Sequence, residues 1–199
     1  MATVSKRRSR RTRTPLTDEH LARLAELARL DHLYFTRAEG RPEYADRRLL
    51  VVLAQGAAKH WVDGTNGVKD LDVWTFYARL PGERFPGDKR ERYVDFGPSS
   101  LGRQASDFGA ARSPSELARW QRWDSYEGRR VDLLMRALDL PPGSSPAASI
   151  AGLREWLAAG AMVNTTNKPS SWWLAQKAAV VVYPARYRGR VVWPLVAGG

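Results

Sequence analysis

The 199-residue chain has no cysteine. That excludes disulfides, thiolate zinc sites and cysteine nucleophiles together, so any metal must be held by oxygen or imidazole. Histidine is nearly as scarce, and the three present have no metal-ligand spacing. No apolar run approaches the roughly 20 residues that cross a bilayer, and the N-terminus lacks an apolar secretion segment; a cytoplasmic protein without membrane contact is expected. Acids are missing from the first seventeen residues, where Lys6, Arg7, Arg8, Arg10, Arg11 and Arg13 supply six of the eleven net positive charges. Much of the basicity is therefore a tail. No Gly-x-x-x-x-Gly-Lys-Ser/Thr run, Gly-x-Ser-x-Gly elbow or His-Glu-x-x-His helix occurs, which leaves P-loop, serine-hydrolase and zincin readings unsupported.

What is present is a hydrophobic content of 43% with eight Trp, enough to fill the core of one domain with appendages. Residues 1–15 are expected as a disordered basic tail, which either binds RNA or DNA by counterion release or serves only as a solubilising end. From 16 to 48 the apolar spacing of Leu21, Leu24, Ala28 and Leu33 predicts a helix, capped at Thr17 and stopped by Gly40. Leu49 to Ala54 read as a buried strand, "AAKHWVD" as two helical turns, Asn66-Gly67 as a turn, and "DLDVWTFYARL" as a second strand closed by Pro81-Gly82. A short strand "RYVDFG" follows. Ser113-Pro114-Ser115-Glu116 opens a helix by a capping box, with Trp120 and Trp123 on its core side. "GRRVDLLMRALDL" is another strand. "PPGSSPAAS" marks the best internal boundary, and beyond it the pattern predicts helices near 147–159 and 171–179 and a terminal hairpin.

One stretch carries chemistry. Asp70 and Asp72 project from the same side of a strand, roughly 7 Å apart along it, and like charges that close repel. Asp132 arrives on a later strand in the same apolar frame, with Asp95 in "YVDF" as the alternative third acid. Only a cation would stabilise such a cluster, and magnesium prefers these oxygen ligands. Two ions about 3.5–4 Å apart serve in-line displacement at phosphorus. Upstream, Gly56 allows a phosphate to approach the backbone, and the helix behind it offers unpaired N–H groups.

"QGA" at 55–57, then "DLDV" at 70–73 and "VDL" at 131–133, resemble the signature of the DNA polymerase beta-type nucleotidyltransferase superfamily over residues 49–140. The resemblance implies an α+β fold, a mixed sheet carrying helices, with an N-terminal helix and a C-terminal helix and hairpin extension over 141–199. It implies transfer of a nucleoside monophosphate from a nucleoside triphosphate to an acceptor hydroxyl on RNA, protein or a small molecule, with two magnesium ions. Asp70, Asp72 and Asp132 would be the catalytic and metal-binding acids, while Gly56, Ala57 and Lys59 would face the nucleotide. Ala57 stands where the pattern has Gly or Ser, so the triphosphate grip would rest on backbone or on Lys59. Two other readings stay open: a non-catalytic nucleic-acid-binding protein on the same fold, and a toxin- or defence-associated transferase modifying tRNA or a partner protein. Lys168 as a phosphate contact, Trp172-Trp173 as a base platform and "ARYRGR" (185–190) as an RNA contact are weighed against a solvated loop, a core pair and an ordinary hairpin.

Overall fold

The computed structural model describes residues 11–97 and 124–194. Its centre is a six-stranded mixed sheet in the order β3-β4-β2-β1-β5-β6, comprising β1 (Arg48–Ala54), β2 (Leu71–Ala78), β3 (Glu91–Asp95), β4 (Arg130–Leu138), β5 (Ala179–Tyr183) and β6 (Val191–Trp193). Among the described residues four α-helices accompany it: α1 (Asp18–Leu33), α2 (Gln55–Asp63), α3 (Pro146–Ala161) and α4 (Ser170–Ala175). The class is α+β. All strand pairs are antiparallel except β2 with β4.

Each long element follows from its residues. Thr17 caps α1 through a capping box in which His20 takes the acceptor role, and the helix continues through a π-helical turn, Tyr34–Ala38, before Gly40 at φ +68° ends it. β1 is the hydrophobic run "LLVVLA", and it is buried from Leu49 onward because strands flank it on both sides and helices cover both faces. The C-terminal hairpin forms as expected, but β5 pairs with β1 itself, so the segment beyond 141 completes the central sheet. The helix read from 113 onward lies outside the described residues.

Alternation along the strands sorts the core into two faces. Leu21, Leu24, Leu27 and Ala28 of α1 pack on Val51, Leu53, Leu71, Val73, Val131 and Leu133. On the other face Ile150, Leu153 and Leu157 of α3 and Leu174 of α4 pack on Leu50, Val52, Trp74 and Phe76. Each such fully buried aliphatic or aromatic side chain contributes about 1.5–3 kcal/mol. A third cluster joins Phe35, Tyr44, Tyr77 and Phe85. Beside it lies the Arg90 guanidinium, which donates two hydrogen bonds of 2.8 Å to Asp31 and bridges to Glu39.

Candidate functional site

Three strand ends meet at the carboxylates. The end of β1, Ala54, lies opposite Asp72 at the start of β2, and Asp72 stands in parallel register with Asp132 of β4. The two acids thus occupy neighbouring strands about 4.7–4.9 Å apart, on the face that α3 and α4 cover, while Asp70 sits just ahead of β2. Asp72 is half-buried, and its carboxyl is pushed up to about 7, first by loss of hydration and then by the charges of Asp70 and Asp132, with Lys177 and Arg130 opposing. The mutual repulsion expected from the sequence is therefore present.

Two cations answer part of it. Arg130 donates from Nη2 to Oδ2 of Asp132 at 2.6 Å, and from Nε to Oδ1, with its guanidinium 4.1 Å from the Tyr93 ring centre. Hydrogen bonding to Asp132 raises the affinity of Arg130 for its proton above the ordinary value. Lys69 approaches Asp70 at 3.5 Å. Asp95 is buried at 3% exposure. Its charge acts on Arg23 of α1, and a Cβ on Gly97 would meet its Oδ1 at 2.8 Å.

The strand-to-helix bend beside Asp72 is sharply shaped. Gln55 has φ +61°, the single non-glycine residue with positive φ among the described residues, a conformation that persists only where the surroundings enforce it. They do so at two points: its backbone N–H donates to the Ala178 carbonyl at 2.9 Å, and its Nε2 donates to the Trp173 carbonyl at 3.1 Å. Gly56 follows. A Cβ there would stand 2.9 Å from Nδ2 of Asn66, which donates to the Gly56 carbonyl at 2.8 Å. Ala57 is buried in the α1-side core, where a polar side chain would lose its hydration. Lys59 pairs with Asp63 one helical turn further on. The bend thus presents backbone and the α2 N-terminus, while Lys59 is engaged toward the helix C-terminus.

Lys177 is a group the sequence reading missed. It is exposed, sits between α4 and β5, and is the first cation opposing the raised proton affinity of Asp72. No local motif marks it; only the pairing of Ala179 with Ala54 brings it to the bend. Trp173 is 55% exposed and therefore not a core residue, whereas Trp172 is partly buried beneath the Lys168 ammonium at 4.9 Å. Trp74, on the same face as Asp72, is buried with its indole N–H unpaired.

The donor chemistry at this point, carboxylate oxygen without sulfur or imidazole, suits magnesium, and a cation would relieve the repulsion that raises Asp72. Among the described residues, however, no group of three or more acidic or histidine side chains is arranged to hold a metal ion. Arg130 occupies both oxygens of Asp132, so a third carboxylate ligand requires that guanidinium to turn aside. No family model, curated protein or solved structure matches the chain.

Proposed function

We propose that the chain is a magnesium-dependent nucleotidyltransferase, with Asp70, Asp72 and Asp132 as its acidic residues and the Gln55–Gly56 bend as its phosphate-facing turn. One observation carries this reading. A glycine bend, an Asp-x-Asp strand start and a third strand aspartate, far apart in sequence, lie on adjacent strands in register.

Each residue then has a physical task. Asp70 and Asp72 would hold the ions, which when bound withdraw electron density from the phosphates and orient them. The α2 N-terminus offers backbone N–H groups to the triphosphate, and Lys177 supplies the flexible cation in place of Lys59, which pairs with Asp63. The acceptor oxygen forms a bond to the α-phosphorus as the bond to the leaving pyrophosphate breaks, and Asp132, freed from Arg130, takes the hydroxyl proton.

Incubation with each α-labelled nucleoside triphosphate, magnesium and total cellular RNA and protein tests the reading. The expected result is label in one acceptor class, lost by at least about 10²-fold in Asp72→Asn, since electrostatic stabilisation of a phosphoryl-transfer transition state is worth that much or more. Label that survives unchanged in Asp72→Asn would remove these carboxylates from the chemistry.

A second reading, a non-catalytic nucleic-acid-binding protein on this scaffold, is favoured by the Arg130–Asp132 pair. That pair already neutralises one carboxylate without a metal. It predicts no labelling of any acceptor and full RNA or DNA binding by Asp72→Asn.

A further inference from the structure

Residues 11–14, the described part of the basic N-terminal segment, are bonded to the domain. Thr12, fully buried, forms a two-way backbone bridge with Val68, its N–H donating to the Val68 carbonyl at 2.8 Å and its carbonyl accepting from the Val68 N–H at 2.7 Å. Its hydroxyl donates to Ser125 at 3.1 Å. The Thr14 carbonyl accepts from the Tyr126 hydroxyl at 2.5 Å and lies 3.1 Å from Nε2 of His60. The Gly67 N–H donates to Nδ1 of the same ring at 3.1 Å. A backbone N–H can only donate and a carbonyl only accept, so His60 is the tautomer carrying its proton on Nε2, and it ties strap and loop together.

This strap lies on the loop that leads into Asp70. Arg11 donates through Nη1 to the Gly67 carbonyl at 3.1 Å, and Arg13 through Nη1 to Thr65 at 3.3 Å. Both side chains are exposed. Each guanidinium is thereby oriented through one nitrogen, while among the described residues its Nε and Nη2 make no hydrogen bond. Lys69, also exposed, continues the row to Asp70. The row passes the bend, with Nη1 of Arg11 at 3.8 Å from where a Gly56 Cβ would stand.

We propose that the strapped segment is a ledge for the phosphate backbone of a single-stranded polynucleotide, running over Arg13, Arg11 and Lys69 to the carboxylates, and so that the acceptor is a single-stranded nucleic acid. The inference rests on the transferase reading for why a polynucleotide is brought there, and on the geometry of the strap for where it lies. Arginine forks match phosphate oxygens in a two-point contact that lysine does not give. The only apolar residues among the first fourteen are Met1, Ala2 and Val4, too few to seat a lipid-inserting face. The row is also continuous with a site whose donor would be a nucleotide.

The experiment measures binding of a short labelled single-stranded RNA to the full-length protein, without nucleotide, across a salt series. Each phosphate contact removed lowers the salt slope by about 0.7 for a single strand. The Arg11→Gln/Arg13→Gln variant is therefore expected to lower the slope by about 1.4 and to weaken binding about tenfold or more at 0.1 M salt, with the Thr12–Val68 bridge and the melting temperature preserved. Arg11→Lys/Arg13→Lys keeps the charges and is expected to recover most of the slope. An unchanged slope and affinity in the glutamine variant overturns the ledge. Competition by poly-glutamate or by phosphatidylserine vesicles as effective as that by unlabelled RNA overturns the assignment to nucleic acid. Should the protein transfer no nucleotide while the glutamine variant still loses RNA affinity as stated, the ledge stands and the catalytic reading alone fails.

Discussion

Asp72 shows how a single side chain is set by what surrounds it. Its carboxyl is held near 7, well above the usual carboxylate range, by burial and by two neighbouring acids, so in the metal-free protein the folded state favours its proton more than the unfolded state does. By linkage, the stability gained is fully present below the unfolded value near 4 and is lost as pH rises through about 7. Metal-free protein is therefore expected to lose melting temperature between pH 5 and 8 relative to Asp72→Asn, which lacks this titration. The variant should melt higher at pH 8 by at least about 2–4 °C for each kcal/mol relieved. Thermal denaturation across that pH range checks it. Magnesium is expected to raise the melting temperature of the native protein at pH 8, because a cation replaces the proton, and to do little for the variant; equal shifts in both would place the ion elsewhere.

At the scale of elements, the site depends on how closely α3 and α4 cross. A Cβ on Gly160 would come within 2.5 Å of the Ser171 carbonyl carbon and Oγ, so the crossing requires a residue without a side chain. Since α4 carries Trp173, whose carbonyl fixes Gln55, the crossing also sets the bend beside Asp72. Gly160→Ala is expected to cost about 1–3 kcal/mol by overpacking, seen as a lower urea midpoint, despite the better helix propensity of alanine. Nucleotide transfer should fall further than stability does. A variant with native stability would show that the helices can part without consequence. A comparable dependence holds for Arg90, whose loss leaves the 2%-exposed Asp31 paired with Arg92 alone among the described residues; Arg90→Ala is expected to destabilise toward the lower end of about 3–5 kcal/mol.

For the whole molecule, the strap joins the N-terminal segment to the middle of the chain, since Thr12 and Thr14 bond Ser125, Asp124 and Tyr126. His60 is the buried link between that strap and the turn at Gly67. Its replacement by alanine leaves the buried Gly67 N–H unsatisfied, a loss of about 1–3 kcal/mol. Limited trypsin digestion is expected to cut at Arg13 faster in His60→Ala than in the native protein, while cleavage elsewhere in the sheet stays slow. Equal rates at Arg13 would mean that the backbone bridge at Thr12 holds the strap without the histidine.

The local signals in the chain placed most of its described elements, although the helix read over 171–179 ends at Ala175 because the strand pairing with β1 begins at Ala179. The Thr17 cap, the apolar run of β1, the Asn66-Gly67 turn and the apolar frames around Asp72 and Asp132 each stand where the structure has a helix start, a strand or a loop, because capping, periodicity and turn chemistry act over a few residues. They also placed the three aspartates in strands or at their edge. Which strands neighbour one another was not legible: the parallel register of Asp72 with Asp132, the pairing of β5 with β1 and the arrival of Lys177 at the bend depend on contacts between residues far apart in sequence. The same holds for Arg130 on Asp132 and for the φ of Gln55, which its two hydrogen bonds to carbonyls of the α4–β5 segment enforce. Amino-acid order alone determined the pieces and the kind of chemistry they could carry. Only packing decided which charges face each other, since a buried charge is governed by its spatial neighbours and its loss of water.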